Sequence, residues 1–224
     1  MIHAPHPLVN SAGPNMITLH HLNQSRSKRI IWLLEELGIE YQLVAYQRDS
    51  VTRRAPAALK AVHPLAKSPV IQDGDLVLSE SGAIVDYLVS RYGADTLAPA
   101  VNTPEHGRYI QWLHFAEGTA AYPLITLYLL SADSSQKCFL GDFAREQMLD
   151  VLTYVNDELA NKDYLTGAQF SGADILNSFV FEKISETRGL SQFPHIESYL
   201  QRILARPAAQ KAEALEREHD KDPS

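Results

Sequence analysis

From Met16 onward the chain switches between two hydrophobic periods. Met16–Leu22 is a β-type run, Ile30, Ile31, Leu33, Leu34 and Leu37 then recur at helical spacing, and Tyr41–Ala45 is strand-like again. The pattern predicts a strand, a helix over Ser27–Leu37 and a second strand, and strands joined through such a helix run parallel. Gln47–Arg54 is polar loop, and Ala55–Val62 has the alanine and leucine content of a short helix. Pro69–Gln72 and Leu76–Leu78 are apolar runs separated by Asp73-Gly74-Asp75, whose Asp-Gly step supplies the positive φ of a tight hairpin, so these strands are predicted antiparallel. Helical spacing resumes at Ala83, Ile84, Tyr87 and Leu88 and continues to Tyr92.

The order over residues 16–92 is therefore β-α-β-α-β-β-α, a parallel pair extended by an antiparallel hairpin, which is a thioredoxin-like arrangement. Residues 93–103 read as a linker. After it no strand pattern recurs: Glu105–Ser131, Asp142–Ala160, Ala173–Glu186, Pro194–Ala205 and Ala208–Arg217 read as helices of an all-α bundle spanning 104–217, with Pro123 expected to bend or break the first. The fold class expected is α/β plus all-α. Residues 1–15, with three prolines and no periodicity, are expected to form a flexible extension, and the charged stretch 218–224 a frayed tail.

Composition narrows the chemistry. A net charge of −7 over 224 residues and the absence of a basic block argue against nucleic acid and against an anionic membrane surface as partners. Cys138 is the single cysteine, so an internal disulfide, a CxxC redox pair and a cysteine-rich zinc site are excluded, and it reads as a small structural hydrophobe. No apolar run reaches the roughly 18 residues of a membrane span, and the first residues lack a secretion signal's apolar core, so a cytoplasmic location is expected. Of nine histidines only His20-His21 are adjacent, and neighbouring strand residues point to opposite faces, so no metal is expected.

Three stretches carry candidate chemistry. Ser25 and Ser27 stand at a strand-to-helix junction, where a helix N-terminus offers free N–H groups and a partial positive charge to an anion; each could equally be a plain helix cap. Lys67-Ser68-Pro69-Val70 puts a proline at the start of a strand, where it is either an ordinary trans proline or, in a tight turn, a cis one; a cis bond would leave the Val70 backbone facing outward to pair with an extended peptide. Glu80-Ser81 opens the next helix and is either again a plain helix cap or a place to hold a carboxylate and an ammonium. In a thioredoxin-like layout all three face one cleft.

The segments SRSKRIIWLLEELGIEYQLVAYQRD, HPLAKSPVI and LSESGAIVDYL resemble the N-terminal domain of cytosolic glutathione transferases, in particular a serine-type branch of bacteria and fungi. In the second part, Ser171 and Asp174 of FSGADI stand at the S-x-x-D spacing of a capping box and resemble that family's capping motif. The resemblance implies glutathione as co-substrate, with Ser25, or Ser27 in its place, beside the glutathione sulfur. It further implies Lys67 near the glycyl carboxylate, Pro69 as the cis-proline, Val70 pairing with the cysteinyl unit, and Glu80 and Ser81 anchoring the γ-glutamyl end. An apolar electrophile would lie against the first bundle helix, where Tyr122, His114 and Tyr128 are the candidates, although Tyr109, Trp112 and Phe115 share that segment and bundle helices bury aromatics in any case. The implied activity is conjugation of glutathione to an electrophile, with a peroxidase or dehalogenating side activity, and the implied assembly is a homodimer. The alternatives are a non-catalytic interaction or regulatory protein on the same fold, and a cysteine-type lyase or reductase. The latter is disfavoured because Arg26 follows Ser25 and the first domain contains no cysteine.

Overall fold

A computed structural model describes residues 16–131 and 138–220; the expected N-terminal extension and residues 221–224 lie outside the described residues. The strand β1 (Ile17–Leu22) buries Ile17, Leu19 and Leu22, and the amphipathic helix α1 (Lys28–Leu37) lays Ile30, Ile31, Leu33 and Leu34 on the same core. Gly38 ends α1 in the left-handed conformation with φ 64°, which costs a glycine little. β2 (Tyr41–Tyr46) runs parallel to β1, β3 (Val70–Asp73) antiparallel to it, and β4 (Leu76–Ser79) antiparallel to β3, giving the order β2-β1-β3-β4. Helices α2 (Ala57–Val62) and α3 (Ser81–Tyr92) complete the thioredoxin-like unit.

The strand order corrects one expectation. β3 is an inner strand: Val70 is fully buried and stands opposite both His20 of β1 and Ser79 of β4, so its backbone does not face an open edge. Which of two hairpin strands lies inside depends on pairing with β1, some fifty residues away, and no local pattern encodes that.

The linker contains a short helix, α4 (Ala94–Leu97). The long first bundle helix is two helices, α5 (Pro104–Phe115) and α6 (Ala121–Ser131), joined by a π-helical turn at Ala116–Ala120. The disruption therefore lies before Pro123. Proline has no N–H for the carbonyl of Thr119 and its ring crowds that carbonyl, so the preceding turn widens. α7 (Phe139–Glu158), α8 (Gly172–Arg188), α9 (Pro194–Leu204) and α10 (Pro207–His219) complete the bundle. Among the described residues, no helix is long and apolar enough to cross a membrane.

One continuous apolar core joins both units, with Ile84, Val85 and Leu88 of α3 packed in the same cluster as Tyr109, Trp112 and Leu176 of the bundle. Gly172 permits this contact: a Cβ there would lie 2.8 Å from Val85 Cγ1 and 3.0 Å from the Tyr109 hydroxyl. The stretch expected to fray is also corrected. α10 packs along α1 and continues to His219, and Asp220 Oδ1 accepts a hydrogen bond from Asn23 Nδ2 at 2.9 Å. Its charges looked solvated because their partners lie nearly 200 positions earlier.

Candidate functional site

The chain leaves β1 at Leu22 and turns through Asn23–Ser27 into α1, with Gln24 in the left-handed region at φ 51°. That turn is held on both sides. Asn23 donates its N–H to the Tyr46 carbonyl at 3.1 Å and accepts the Arg48 N–H on Oδ1 at 2.8 Å, while the Gln24 N–H donates to Glu216 Oε1 of α10 at 2.7 Å.

The two serines of the turn differ. Ser27 is fully buried at the N-cap position of α1, yet its hydroxyl caps no helix amide; Oγ lies 2.7 Å from His21 Nδ1 and 2.7 Å from Ser25 Oγ. Ser25 is half-buried, and its Oγ accepts the Ser27 N–H at 3.1 Å. A partly exposed hydroxyl thus sits at the open end of a buried hydrogen-bonded chain. At the other end His21 Nε2 lies 3.2 Å from Glu216 Oε2. Burial above all holds the His21 imidazole down to about 4, with His219 adding to the shift and Asp220 opposing it. Burial likewise pushes the Glu216 carboxyl up to about 7, against the Gln24 N–H bond and the Lys28 charge, both of which favour the carboxylate.

Two further walls converge here. The Ser68–Pro69 bond is cis, and the Ser68 hydroxyl donates to the His20 carbonyl at 2.8 Å and accepts the Leu22 N–H at 3.1 Å. The same Leu22 N–H reaches Ser27 Oγ at 3.3 Å, so the proline turn and the serine turn share one amide. On the third side, Ser81 Oγ accepts from Arg29 of α1 at 3.1 Å. Arg29 is itself buried, also donating to the Leu176 carbonyl and to Glu117 Oε1, the latter at 2.5 Å. Glu80 precedes Ser81 with φ 71°, exposed and in a conformation that few residues other than glycine adopt.

The structure thus brings Ser25, Ser27, Pro69 and Ser81 to one place, with exposed Glu80 at its rim. Lys67 is exposed beside the cis bond. The three electrophile candidates, His114, Tyr122 and Tyr128, are exposed along α5 and α6, and Tyr128 acts electrostatically on Arg48 of the first unit. Tyr109 and Trp112 are core residues. Besides Glu216 of α10, the bundle reaches the serine turn through Glu117 of the π turn, which pairs with Arg26 at 2.8 Å as well as with Arg29. Sequence reasoning missed Glu117, His21, Ser68 and Glu216; Pro123, which widens the turn bearing Glu117, was the one available signal. A cavity of about 500 Å³ between α1, α8, α9 and α10 is lined by Lys28, Trp32, Glu182, Leu200, Leu204 and Glu213, and by none of the sequence-assigned residues. Among the described residues, no group of three or more His, Cys, Asp or Glu could hold a metal ion.

A thioredoxin-like unit carrying a cis-proline turn and a hydroxyl at a helix start, fused to a helical bundle, defines the glutathione-dependent class of two-domain transferases. The model for the "Glutathione S-transferase, N-terminal domain" matches residues 14–90, and that for the "Glutathione S-transferase, C-terminal domain" matches residues 120–207. Glutathione S-transferase 3 of Schizosaccharomyces pombe is 30% identical over 211 residues, covering 88% of this chain and 86% of that protein. Glutathione S-transferase 1 of Saccharomyces cerevisiae is 30% identical over 227 residues, covering 89% of this chain and 97% of its own length. A glutathione S-transferase crystal structure from Actinobacillus pleuropneumoniae superposes with a TM-score of 0.81 at 37% identity, covering 90% of this chain and 93% of that one. The chain belongs to the glutathione S-transferase family.

Proposed function

We propose that the chain conjugates glutathione to an apolar electrophile and that Ser25 is the residue that faces the sulfur. The observation that carries this reading is the contrast between the serines: the Ser25 hydroxyl is the partly exposed one, while that of Ser27 is enclosed between Ser25 and His21. A free thiol titrates near 8.5, so only a few per cent is thiolate at neutral pH. Lowering that value by about two units requires roughly 2.7 kcal/mol of preference for the anion. A charge-assisted hydrogen bond of roughly 1.5–3 kcal/mol and a helix-dipole contribution of roughly 0.3–1 kcal/mol supply it. The thiolate sulfur then forms a bond to the electrophilic carbon as the leaving group departs with its electron pair. A peroxide would be attacked at oxygen, with a second glutathione converting the sulfenic product to the disulfide.

The rest of the ligand follows the same cleft. With Val70 enclosed in the sheet, the cysteinyl backbone is assigned instead to Ser68, which precedes the cis-proline and lies outside the strand register. Ser81, still able to donate its hydroxyl hydrogen while accepting from Arg29, would bind the γ-glutamyl carboxylate, Glu80 its ammonium and Lys67 the glycyl carboxylate. Leu76 and Val77 of the first unit and Leu129, Phe139, Leu140 and Phe143 of the bundle are exposed apolar residues that a second copy would cover in a homodimer, which sedimentation would detect. The test of the function is retention on immobilised glutathione followed by conjugation of an aryl halide and turnover of a peroxide. Retention with turnover supports the enzyme; failure to bind glutathione would favour a non-catalytic interaction protein.

A further inference from the structure

We propose that the thiol proton of bound glutathione leaves along a hydrogen-bonded chain from Ser25 through Ser27 and His21 and comes to rest on Glu216 of the C-terminal helix. The inference deepens the reading of Ser25 given above and rests on it.

The first two links are hydrogen bonds and the third is a close approach. Ser25 Oγ to Ser27 Oγ is 2.7 Å, Ser27 Oγ to His21 Nδ1 is 2.7 Å, and His21 Nε2 to Glu216 Oε2 is 3.2 Å. Those last two atoms are both buried and, short of hydrogen-bond alignment with one another, have no hydrogen-bond partner among the described residues. Buried polar atoms seldom remain so, and two of them face each other across a gap that one proton would fill. Glu216 Oε1 is already held by the Gln24 N–H at 2.7 Å, which leaves Oε2 to receive.

The proton balance can be followed atom by atom. Before ionisation Glu216 is a carboxylate and His21 is neutral with its proton on Nε2, 3.2 Å from Glu216 Oε2, an approach that a small rotation of either side chain turns into a hydrogen bond. Ser27 donates to His21 Nδ1, Ser25 donates to Ser27, and the thiol S–H donates to Ser25 Oγ. Ionisation moves each proton one place: the thiol proton to Ser25, the Ser25 proton to Ser27, the Ser27 proton to His21 Nδ1, and the Nε2 proton to Glu216 Oε2. Every hydrogen bond reverses, and Ser25 ends as a donor to the thiolate. The net charge of the cluster is unchanged, so the thiolate is not formed beside a second anion.

The surroundings favour this resting place over the imidazole. Burial opposes a charge on His21 and favours the neutral acid of Glu216. The charged groups facing the pair are Lys28 of α1, Glu213, His219 and Asp220 of α10 and its end, and Arg48 of the loop after β2. Glu213 and Asp220 raise the affinity of Glu216 for a proton and Lys28 lowers it. The C-terminal helix thereby takes part in thiol activation without touching glutathione, and His21 and Glu216 are positioning residues.

The test uses the full chain with Glu216→Gln, Ser27→Ala and Ser25→Ala. Three quantities are measured: affinity for S-methylglutathione, which has no thiol proton; the pH titration of the bound thiolate by ultraviolet absorbance; and the protons released to a weakly buffered indicator dye when glutathione binds. Up to about pH 7 the wild type is expected to release fewer protons than it forms thiolate, because part of the thiol proton stays on Glu216. Glu216→Gln should bind S-methylglutathione as the wild type does, raise the thiol titration by about one unit, a roughly tenfold smaller thiolate fraction, and release to solvent the proton of whatever thiolate it forms. Ser27→Ala breaks the chain inside the first domain, leaves the contacts of α10 in place, and should raise the titration equally. A wild-type titration and wild-type proton release in both variants would overturn the relay. A wild-type thiolate in Ser25→Ala would instead overturn the assignment of Ser25 itself.

Discussion

Two helix starts in this molecule have the same capping chemistry in sequence and use it in opposite ways. At the start of α8 the Asp174 carboxylate accepts the Ser171 N–H at 2.8 Å, the Ser171 hydroxyl at 3.0 Å, the Leu165 N–H at 2.9 Å and the Tyr199 hydroxyl at 3.0 Å, closing a capping box in a buried setting. At the start of α1, Ser27 holds the N-cap position but turns its hydroxyl away from the helix toward His21, and Ser25 is left partly exposed. The first start satisfies every group it brings together, whereas the second leaves a chain of hydroxyls with one open end. A local side-chain pattern that reads as a cap therefore has structural meaning where its donors and acceptors close on each other and functional meaning where they do not.

The largest expected effect breaks the structural start. Asp174→Ala removes the acceptor of four buried donors, and it should lower the free energy of unfolding by on the order of 3 kcal/mol, measured by denaturant titration. A loss below about 1 kcal/mol would mean the donors find other partners and the box is ornamental. Ser25→Ala should do the converse. Stability is expected to stay within about 0.5 kcal/mol of wild type, while the conjugation rate at saturating glutathione falls by roughly tenfold or more, the worth of one charge-assisted hydrogen bond. Unchanged turnover in that variant would make Ser25 another plain surface serine. Gly172→Ala, one residue into α8, sharpens the structural side: its methyl would meet Val85 Cγ1 at 2.8 Å, and the two units pack through that contact. A cost of about 1–3 kcal/mol in thermal or denaturant unfolding is expected, since overpacking a buried helix contact forces one unit to shift.

How much of this was legible follows the range of the contacts. The order of strands and helices in the first unit was readable because each element writes its own period, and the α8 box because its partners stand three residues apart. Val70 was misread because its second pairing, with β1 some fifty residues earlier, leaves no local signal. The end of α10 was misread for the same reason: a run ending Glu216, Arg217, Glu218, His219, Asp220 looks solvated until Asn23, Gln24 and His21 are brought against it. Of the site, the residue types Ser25, Pro69 and Ser81 could be picked out by resemblance, whereas of the groups that orient them Glu117, Arg29 and Glu216 act across about 50 to 200 positions, and His21, six residues before Ser27, carries no motif.

The smallest predicted effect separates the two starts by pH. Asp174 is held up to about 6 from 3.8, with burial outweighing its hydrogen bonds, so between those values the folded chain holds a proton that the unfolded chain has lost, and this group's contribution to stability falls as pH rises. Glu216, held up to about 7 from 4.5, does the same in a window that extends one unit higher. His21, held down to about 4 from 6.5, has the opposite sign: the unfolded chain takes the proton first, and stability rises with pH between those values. From 4.5 to 6.5 Glu216 and His21 therefore oppose one another, and Glu216→Gln should leave the rising slope of His21 exposed. The quantity to plot is the unfolding free energy of each variant minus that of wild type, measured by denaturant titration at closely spaced pH. For Asp174→Asn this difference should climb with pH and level off by about 6, whereas for Glu216→Gln it should still be climbing between 6 and 7, by on the order of 1 kcal/mol over that last unit. A Glu216→Gln curve already flat at pH 6 would show that the carboxyl gives up its proton early in the folded chain, and the open start of α1 would then have no group at its far end able to hold one at neutral pH.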